Sequence, residues 1–223
     1  MQVLRIILAA IAGYLLGTIP VGVLVSKAYG KTDIRKSGSG NTGTTNVLRT
    51  LGWLPSALTL IGDVAKGMLG ALVGRWLGGE TGMLLAGFLA VVGHDFPFYL
   101  GFKGGKGIAT SLGVTIIVAP RVAPWLVIIV IVIVAITHVM SIGTLVASLA
   151  YPILFGLLRP AGATLSSYLI YSIAAMLLSF FCHRSNIKRL IHGEENRLDF
   201  GKIGKISDKY LKFNIDRFKK WKK

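Results

Sequence analysis

The sequence predicts an all-α integral membrane protein, a polytopic helix bundle with about seven transmembrane helices. Three observations support this prediction: long apolar segments, a low share of charged residues, and basic residues confined to a few loops and the tail. The chain has 223 residues, 53% hydrophobic and 15% charged, whereas a soluble domain usually carries about 25% charged residues. Backbone groups in lipid find no water to bind, so the apolar segments should be helices.

The predicted spans follow these apolar segments along the chain. Residues 1–25 carry a single charge, and residues 122–134 and 161–182 carry none. A spanning helix needs about 20 apolar residues, and most of the segments are long enough. Two prolines and an arginine in residues 120–124 predict a turn; without that turn the count falls to about five or six. The predicted spans are residues 3–26, 53–76, 81–100, 107–119, 121–137, 140–158 and 162–182.

The basic residues lie in alternate loops. Lys27–Gly52, His94–Gly107 and the tail after Cys182 are basic, and that tail holds thirteen Lys and Arg against five Asp and Glu. The positive-inside rule places these segments in the cytoplasm, so seven spans put the N-terminus outside and the C-terminus inside. The first segment should be kept as a span, because it lacks the strongly basic start of a signal peptide.

The formal net charge of +16 indicates either a basic membrane-facing surface or a site for anionic substrates. A nucleic-acid partner is not expected, because the chain has no soluble basic domain. The single cysteine, Cys182, excludes an intramolecular disulfide and a metal site of several cysteines.

The first polar cluster is a glycine-rich loop before a short polar segment. Its glycines allow close approach of a ligand to the backbone, and Arg49 offers a two-pronged contact for phosphate. A flexible loop with a helix cap is the alternative. The candidate residues of this cluster are Ser39, Asn41, Thr45, Asn46 and Arg49.

The second cluster, Gly101–Thr110, leads into an apolar helix. It contains Lys103, Gly104, Gly105 and Lys106, and amides at a helix start beside a lysine suit an anion. It is not a Walker A loop, because Lys106 is followed by glycine, so nucleotide hydrolysis is not expected. Contact with lipid headgroups is the alternative.

The third cluster, His183–Glu195, begins where the last predicted span ends. If the helix continues, His183, Asn186 and Leu190 share one face; a basic membrane-end anchor is the alternative. Inside the second span, Asp63 and Lys66 are spaced to neutralise each other, with a proton relay as the alternative. His94 and Asp95 either orient the second cluster or form its hydrogen-bonded start.

Together the three clusters resemble the bacterial acyl-phosphate:glycerol-3-phosphate acyltransferase family, an integral membrane family, over about residues 1–196. The matching motifs are Ser39-Gly40-Asn41 with Thr45-Asn46, Gly93-His94 with Phe96-Pro97 and Phe102-Lys103-Gly104-Gly105-Lys106-Gly107, and His183-Arg184 with Asn186-Ile187, Arg189-Leu190, Gly193 and Glu195.

The resemblance implies a seven-span enzyme of phospholipid synthesis in the bacterial inner membrane, with its active site facing the cytoplasm. Its implied reaction moves a fatty acyl group from acyl phosphate to the sn-1 hydroxyl of glycerol 3-phosphate, giving lysophosphatidate and phosphate. No cofactor, metal, acyl carrier protein or obligate protein partner is implied. The implied catalytic residues are His183, Asn186, Ser39 and Arg49; the implied substrate-binding residues are Asn41, Thr45, Asn46, Lys103, Gly104, Gly105, Lys106 and Ser141; Glu195, Asp63 and Lys66 are assigned structural roles.

The chain departs from the family pattern before its sixth span. A Thr-Arg-Tyr-x-Ser type segment in the family reads Thr137-His138-Val139-Met140-Ser141 here. A basic substrate contact at this segment is therefore in doubt, while Ser141 is kept. Residues 1–196 are predicted to form the acyltransferase domain, and residues 197–223 a basic amphipathic or disordered cytoplasmic tail. That tail is predicted to carry no chemistry, so a chain ending at Ile203 should keep most of its activity.

Acyl phosphate is already activated, so a covalent enzyme nucleophile is not required, and Cys182 is a poor candidate for one. His183 is expected to act either as a general base or as a phosphate ligand, with binding or positioning favoured. Two other functions are compatible with the composition: a transporter for a phosphorylated solute, and a lipid-binding scaffold. A transporter should carry polar residues near the membrane midplane on several helices, whereas only Asp63 and Lys66 lie deep.

Overall fold

The computed structural model describes the backbone of residues 1–221 and the side chains of residues 1–214. The side chains of Phe218 and Trp221, part of the predicted amphipathic tail, lie outside the described residues. In chain order the helices are α1 (Gln2–Thr18), α2 (Val21–Gly30), α3 (Thr44–Leu51), α4 (Trp53–Asp95), α5 (Ile108–Val118), α6 (Ala123–Thr137), α7 (Met140–Leu158), α8 (Leu165–Cys182), α9 (Arg184–Ile191) and α10 (Phe200–Trp221). Short 3₁₀ turns form at Ile34–Lys36 and Phe98–Leu100.

Within the described residues, four stretches are long and apolar enough to cross a membrane. They are Gln2–Gly30, Trp53–Leu100, Met140–Leu158 and Leu165–Cys182, and the apolar helices α5 and α6 are shorter. Many apolar side chains point outward: Ile136 is 73% exposed and Leu157 is 74% exposed. Such exposure is unfavourable in water and natural in lipid, so the chain is a multi-pass membrane protein.

Two predicted spans differ from the observed helices. The span 3–26 is interrupted, because α1 ends at Thr18 and α2 begins at Val21. Pro20 lacks an N–H group and drives the preceding Ile19 out of the helical region, where it has φ −57° and ψ 115°. The span 81–100 is helical only to Asp95, and residues 98–100 form a 3₁₀ turn after Pro97.

The predicted gap between the second and third spans falls at an interruption of α4. Gly78 and Gly79 leave the helical conformation, and Gly79 has φ +62°, which glycine adopts without strain. The predicted turn near Pro120 also forms, because α5 ends at Val118 and α6 begins at Ala123. After the last span the helix does not continue unbroken: α8 ends at Cys182 and α9 begins at Arg184.

The chain divides into two compact units. The first unit comprises Met1–Ile19 and Asp63–Arg197, and its buried core is rich in aromatic rings. The ring centroids of Tyr151 and Phe155 are 4.6 Å apart, and those of Phe155 and Tyr171 are 5.7 Å apart. Small residues let helices approach closely: a side chain at Gly13 in α1 would overlap the backbone of Ala86 in α4.

The second unit comprises Pro20–Gly62 and Leu198–Lys223. Its core consists of Val23, Ile34, Val47 and Leu51, with Tyr210 of α10 packed against them. This core brings α2, α3 and α10 together around the segment that carries the first polar cluster.

Candidate active site

The predicted site residues fall into both units. Those in the first unit are Asp63, Lys66, Lys103, Gly104, Gly105, Lys106, Ser141, His183, Asn186 and Glu195. Those in the second unit are Ser39, Asn41, Thr45, Asn46 and Arg49.

In the first unit, Lys106, Asn186, Glu195 and Arg189 form a chain of polar contacts, here named the lysine cluster. Lys106 lies just before α5 and donates from its ammonium group to Oδ1 of Asn186 in α9. The amide nitrogen of Asn186 donates to Oε1 of Glu195 over 2.7 Å. Arg189 donates to the other oxygen, Oε2, over 2.8 Å. Both carboxylate oxygens are therefore engaged, and Glu195 holds α9 in place.

The carboxylate of Glu195 stays ionised because its partners outweigh its burial. Burial raises the pKa of Glu195, but the hydrogen bonds from Arg189 and Asn186, the charge of Arg189 and the Ser141 hydroxyl lower it below the usual value. Ser141 lies in the first turn of α7 and is 5% exposed. The lysine cluster thus gathers two cations, one anion and an amide from two segments, and the Ser141 hydroxyl comes from a third.

His183 lies between α8 and α9 and is 3% exposed. Its Nδ1 is 2.8 Å from the carbonyl oxygen of Ser179, which can only accept, so Nδ1 carries the proton. Nε2 lies 3.2 Å from the hydroxyl of Thr144. Burial and the nearby charge of Lys106 lower the pKa of His183 to about 4. The imidazole is therefore neutral at physiological pH.

The glycine-rich loop before α5 rests on the end of α4. Gly105 donates its N–H to the carbonyl of His94 over 3.0 Å, and Gly104 does the same to Asp95 over 3.0 Å. A side chain at Gly105 would overlap the His94 ring, so glycine is required for this contact. Lys103 is exposed on the same loop.

Asp63 and Lys66 both contact the side chain of His94, whose carbonyl accepts from the loop. Their predicted pair forms, with Nζ of Lys66 2.9 Å from Oδ1 of Asp63. The same ammonium lies 2.7 Å from Nδ1 of His94 and donates to the carbonyl of Ile19 over 2.8 Å. The pair therefore links the break after α1 to the residue on which the glycine-rich loop rests.

Cys182 donates its thiol hydrogen to Oδ2 of Asp95 over 3.2 Å. A thiol held in this way is poorly placed to act as a nucleophile. Over the residues that the structure describes, no group of three or more His, Cys, Asp and Glu side chains could hold a metal ion.

In the second unit, one side chain organises the glycine-rich loop of residues 37–43, here named the asparagine loop. Asn46 in α3 is 2% exposed, and its amide nitrogen donates to the carbonyls of Ser37, Asn41 and Ile34 over 3.0, 2.8 and 3.2 Å. Its Oδ1 accepts the N–H of Ser39 over 2.9 Å. The amide of Asn46 is therefore committed to the backbone of the loop.

The other candidates of the second unit surround this loop. Asn41 accepts the N–H of Gly43 over 2.8 Å, closing the turn that starts α3. Ser39 is exposed, whereas Thr45 and Arg49 are half-buried on α3. The loop therefore presents the Ser39 hydroxyl next to a helix that carries a guanidinium group.

Two residues that contact the predicted site residues, Arg189 and Thr144, were not themselves predicted as site residues. Arg189 lies within the third motif, and its position six residues before Glu195 could have indicated that the two side chains pair. Thr144, which contacts His183, sits in an apolar span and gives no signal in the sequence.

The long apolar helices define a multi-pass integral membrane protein, which carries two polar regions, the lysine cluster and the asparagine loop. A family model described as glycerol-3-phosphate acyltransferase matches residues 7–193. The glycerol-3-phosphate acyltransferase of Carboxydothermus hydrogenoformans is 43% identical over 199 residues, covering 89% of this chain and 100% of the relative. That of Clostridioides difficile is 40% identical, covering 89% and 98%.

Solved structures give the same result. The crystal structure of PlsY, an integral membrane glycerol 3-phosphate acyltransferase, in its glycerol 3-phosphate form has a TM-score of 0.79 and 34% sequence identity, covering 89% of this chain and 98% of PlsY. Its lysophosphatidic acid form has a TM-score of 0.77 and 33% identity, with coverage of 89% and 97%. The chain belongs to the glycerol-3-phosphate acyltransferase family of integral membrane enzymes, which confirms the resemblance stated from the motifs.

Proposed function

We propose that this acyltransferase uses acyl phosphate as its donor and acylates the sn-1 hydroxyl of glycerol 3-phosphate, releasing lysophosphatidate and inorganic phosphate. The family match over residues 7–193 carries the proposal. The lysine cluster supports it, because a cation held by an amide suits the phosphate of an anionic substrate.

The proposed step is direct transfer between two bound substrates. The sn-1 hydroxyl oxygen of glycerol 3-phosphate attacks the acyl carbonyl carbon, and the bond from that carbon to the phosphate oxygen breaks. The proton of the hydroxyl leaves with a phosphate group, so inorganic phosphate departs as the protonated product. Holding two reactants in attack geometry contributes about 7–11 kcal/mol.

In the first unit, Lys106, Asn186 and Ser141 are assigned to phosphate and oxyanion contact. Gly104 and Gly105 are assigned to shaping the loop beside them, since their N–H groups already donate to the carbonyls of Asp95 and His94. A donor aimed at the oxyanion contributes about 2.7–4 kcal/mol. Lys103 is exposed on the same loop and is assigned to the electrostatic attraction of the anionic substrates.

His183 is assigned a positioning role rather than that of a phosphate ligand. The imidazole of His183 is neutral, and its Nδ1–H donates to the carbonyl of Ser179, so it brings no positive charge to a phosphate. Through Thr144 and Ser179 it ties α7 to the end of α8. Glu195 orients Asn186, and Asp63 with Lys66 supports the glycine-rich loop through His94.

In the second unit, Ser39, Asn41, Thr45 and Arg49 are assigned to the phosphate of one substrate. Asn46 is assigned to shaping the loop, since its amide already binds four backbone groups. Glycerol 3-phosphate carries no large apolar surface, so charge and backbone contacts must supply its affinity. The proposal includes no metal or cofactor, because the donor is already activated, and no nucleic-acid or obligate protein partner.

For topology, we propose seven spans with the N-terminus outside, the C-terminus inside and the site facing the cytoplasm of a bacterial inner membrane. The basic loops support this orientation. Single cysteines at Ser37 and Lys205 should react only with reagents that reach the cytoplasm, and one at Gly79 should react from outside. Labelling of the Ser37 position from outside intact cells would contradict this orientation.

The reaction is tested with purified protein in proteoliposomes, mixed with acyl phosphate, glycerol 3-phosphate or both. We expect phosphate release and lysophosphatidate only when both substrates are present. Asn186→Ala should abolish most of this release, and Ser185→Ala, an exposed neighbour, should keep it. Glycerol 3-phosphate uptake into the vesicles without acylation would favour a transporter instead.

A further inference from the structure

The C-terminal helix α10 lies outside the residues that the family model matches. That match ends at residue 193, and α10 begins at Phe200. The helix nevertheless belongs to the compact second unit together with α2 and α3.

One face of α10 completes the apolar core of the second unit. Ile203 is 2% exposed, and Tyr210 packs against the core formed by Val23, Ile34, Val47 and Leu51. The ring of Phe200 stacks on that of Trp53, with the centroids 6.1 Å apart and the planes 2° apart. Apolar burial of this kind is the main term that holds one helix against another.

Polar contacts fix the register of α10. The N–H of Trp53 donates to the hydroxyl oxygen of Ser207 over 3.0 Å. Gly52, which ends α3, has φ +89°, and a side chain there would overlap Ser207. Farther along, Asn214 donates to the carbonyl of Tyr29 in α2 over 3.3 Å. The junction between α3 and α4 is therefore shaped to receive Ser207.

The helix that α10 contacts is also the helix that organises the asparagine loop. Val47 and Leu51 of α3 face the core with Tyr210, and Asn46 of the same helix binds the loop backbone. Isolated helices shorter than about 12 residues are unstable in water, and α3 has 8 residues. The position of α3 must come from its packing partners, of which α10 is one.

We propose that α10 is a positioning element for the asparagine loop, acting through Ser207 and Tyr210 on α3. The proposal rests on the proposed function, in that Arg49 and the loop are taken to bind one substrate phosphate. It differs from the sequence-based expectation that a chain ending at Ile203 keeps most of its activity, because that chain lacks both residues. Lys202, Lys205 and Lys209 of the same helix are exposed.

The experiment measures KM for each substrate and kcat in the full chain. Tyr210→Ala removes the packing on α3, and Ser207→Ala removes the acceptor of the Trp53 N–H. Tyr210→Phe keeps the ring, and Leu211→Ala alters an exposed neighbour that is 50% exposed. Arg49→Ala identifies the substrate whose phosphate the second unit binds. Thermal unfolding in detergent shows that each variant is folded.

We expect Tyr210→Ala to raise the KM of the substrate identified by Arg49→Ala about tenfold, and Ser207→Ala about threefold. The other KM and kcat should change less than about twofold, as should all constants in Tyr210→Phe and Leu211→Ala. If Arg49→Ala changes one KM but Tyr210→Ala and Ser207→Ala change neither, α10 has no positioning role. If Arg49→Ala itself changes no KM, the assignment of the second unit to a substrate phosphate fails. An equal loss of activity toward both substrates with a lowered unfolding temperature would identify α10 as merely stabilising.

Discussion

The lysine cluster and the asparagine loop carry polar groups suited to phosphate, but they are held in place in different ways. The lysine cluster joins side chains from two segments 80 positions apart in sequence, with Lys106 donating to Asn186 and Asn186 donating to Glu195. The asparagine loop is local: one buried amide, that of Asn46, binds four backbone groups within residues 34–46. The first region depends on the packing of distant helices, and the second on one side chain and the short helix that carries it.

The largest effect is expected for Asn186→Ala in the lysine cluster. Asn186 accepts from Lys106 and donates to Glu195, and each charge-assisted bond contributes about 1.5–3 kcal/mol. The loss of both should reduce kcat/KM by about a hundredfold or more. Steady-state kinetics with both substrates measures this change. Activity of the folded variant within about threefold of wild type would remove Asn186 from the site.

Lys106→Ala should have the next largest effect. It removes one cation that a substrate phosphate would otherwise meet, at about 1.5–3 kcal/mol, or about ten- to a hundredfold in kcat/KM. Lys188→Ala, which removes an exposed lysine of α9, is the matched control and should change kcat/KM less than about twofold. Equal losses in both variants would mean that overall basic charge, rather than the cluster, supports the reaction.

Asn46→Ala tests the asparagine loop. It leaves backbone carbonyls and one N–H without their amide partner, so the loop should lose its shape while the lysine cluster stays intact. We expect the KM of one substrate to rise about tenfold with a smaller change in kcat. Lys36→Ala, at an exposed position beside the loop, serves as control. A fall in kcat at unchanged KM for both substrates would argue against a loop that binds ground-state substrate.

The smallest effect is expected from titration of His183 in the first unit, whereas residues 37–46 of the second unit contain no titratable side chain. The pKa of His183 is lowered from 6.5 to about 4 in the folded protein. The unfolded chain therefore takes up a proton first as pH falls below 6.5, which removes stability at about 1.4 kcal/mol per pH unit until pH nears 4. Above pH 6.5 the contribution is constant.

His183→Gln, which cannot titrate, is the variant for this comparison. As pH falls from 6.5 to 4, the unfolding temperature of the wild type should fall relative to that of His183→Gln. A difference that stays constant over this range would mean that His183 is not held neutral.

Much of the fold followed from the apolar segments, and the local interruptions followed less well. The span 140–158 coincides with α7, because one apolar run is bounded by polar residues at both ends. The interruption at Ile19 was missed, although Pro20 was a local signal for it. The break at His183 has no proline or glycine to mark it.

The site shows the same division between local and distant information. The glycine-rich motifs identified both regions, since their residues are neighbours in sequence. That Asn46 binds the loop backbone could not be read from its type, because an amide suits a ligand and a carbonyl equally well. The contact of Lys106 with Asn186 spans 80 positions and arises only when α5 and α9 fold together.

Direct transfer between bound substrates is tested most directly by rapid quenching of the purified protein with radiolabelled acyl phosphate. We predict that no label is bound covalently to the protein when acyl phosphate is added alone, in wild type and in Cys182→Ser alike. When glycerol 3-phosphate is added, labelled lysophosphatidate and phosphate should form in equal amounts in both proteins. A labelled acyl-enzyme formed before glycerol 3-phosphate is added, and then consumed at the rate of turnover, would contradict direct transfer.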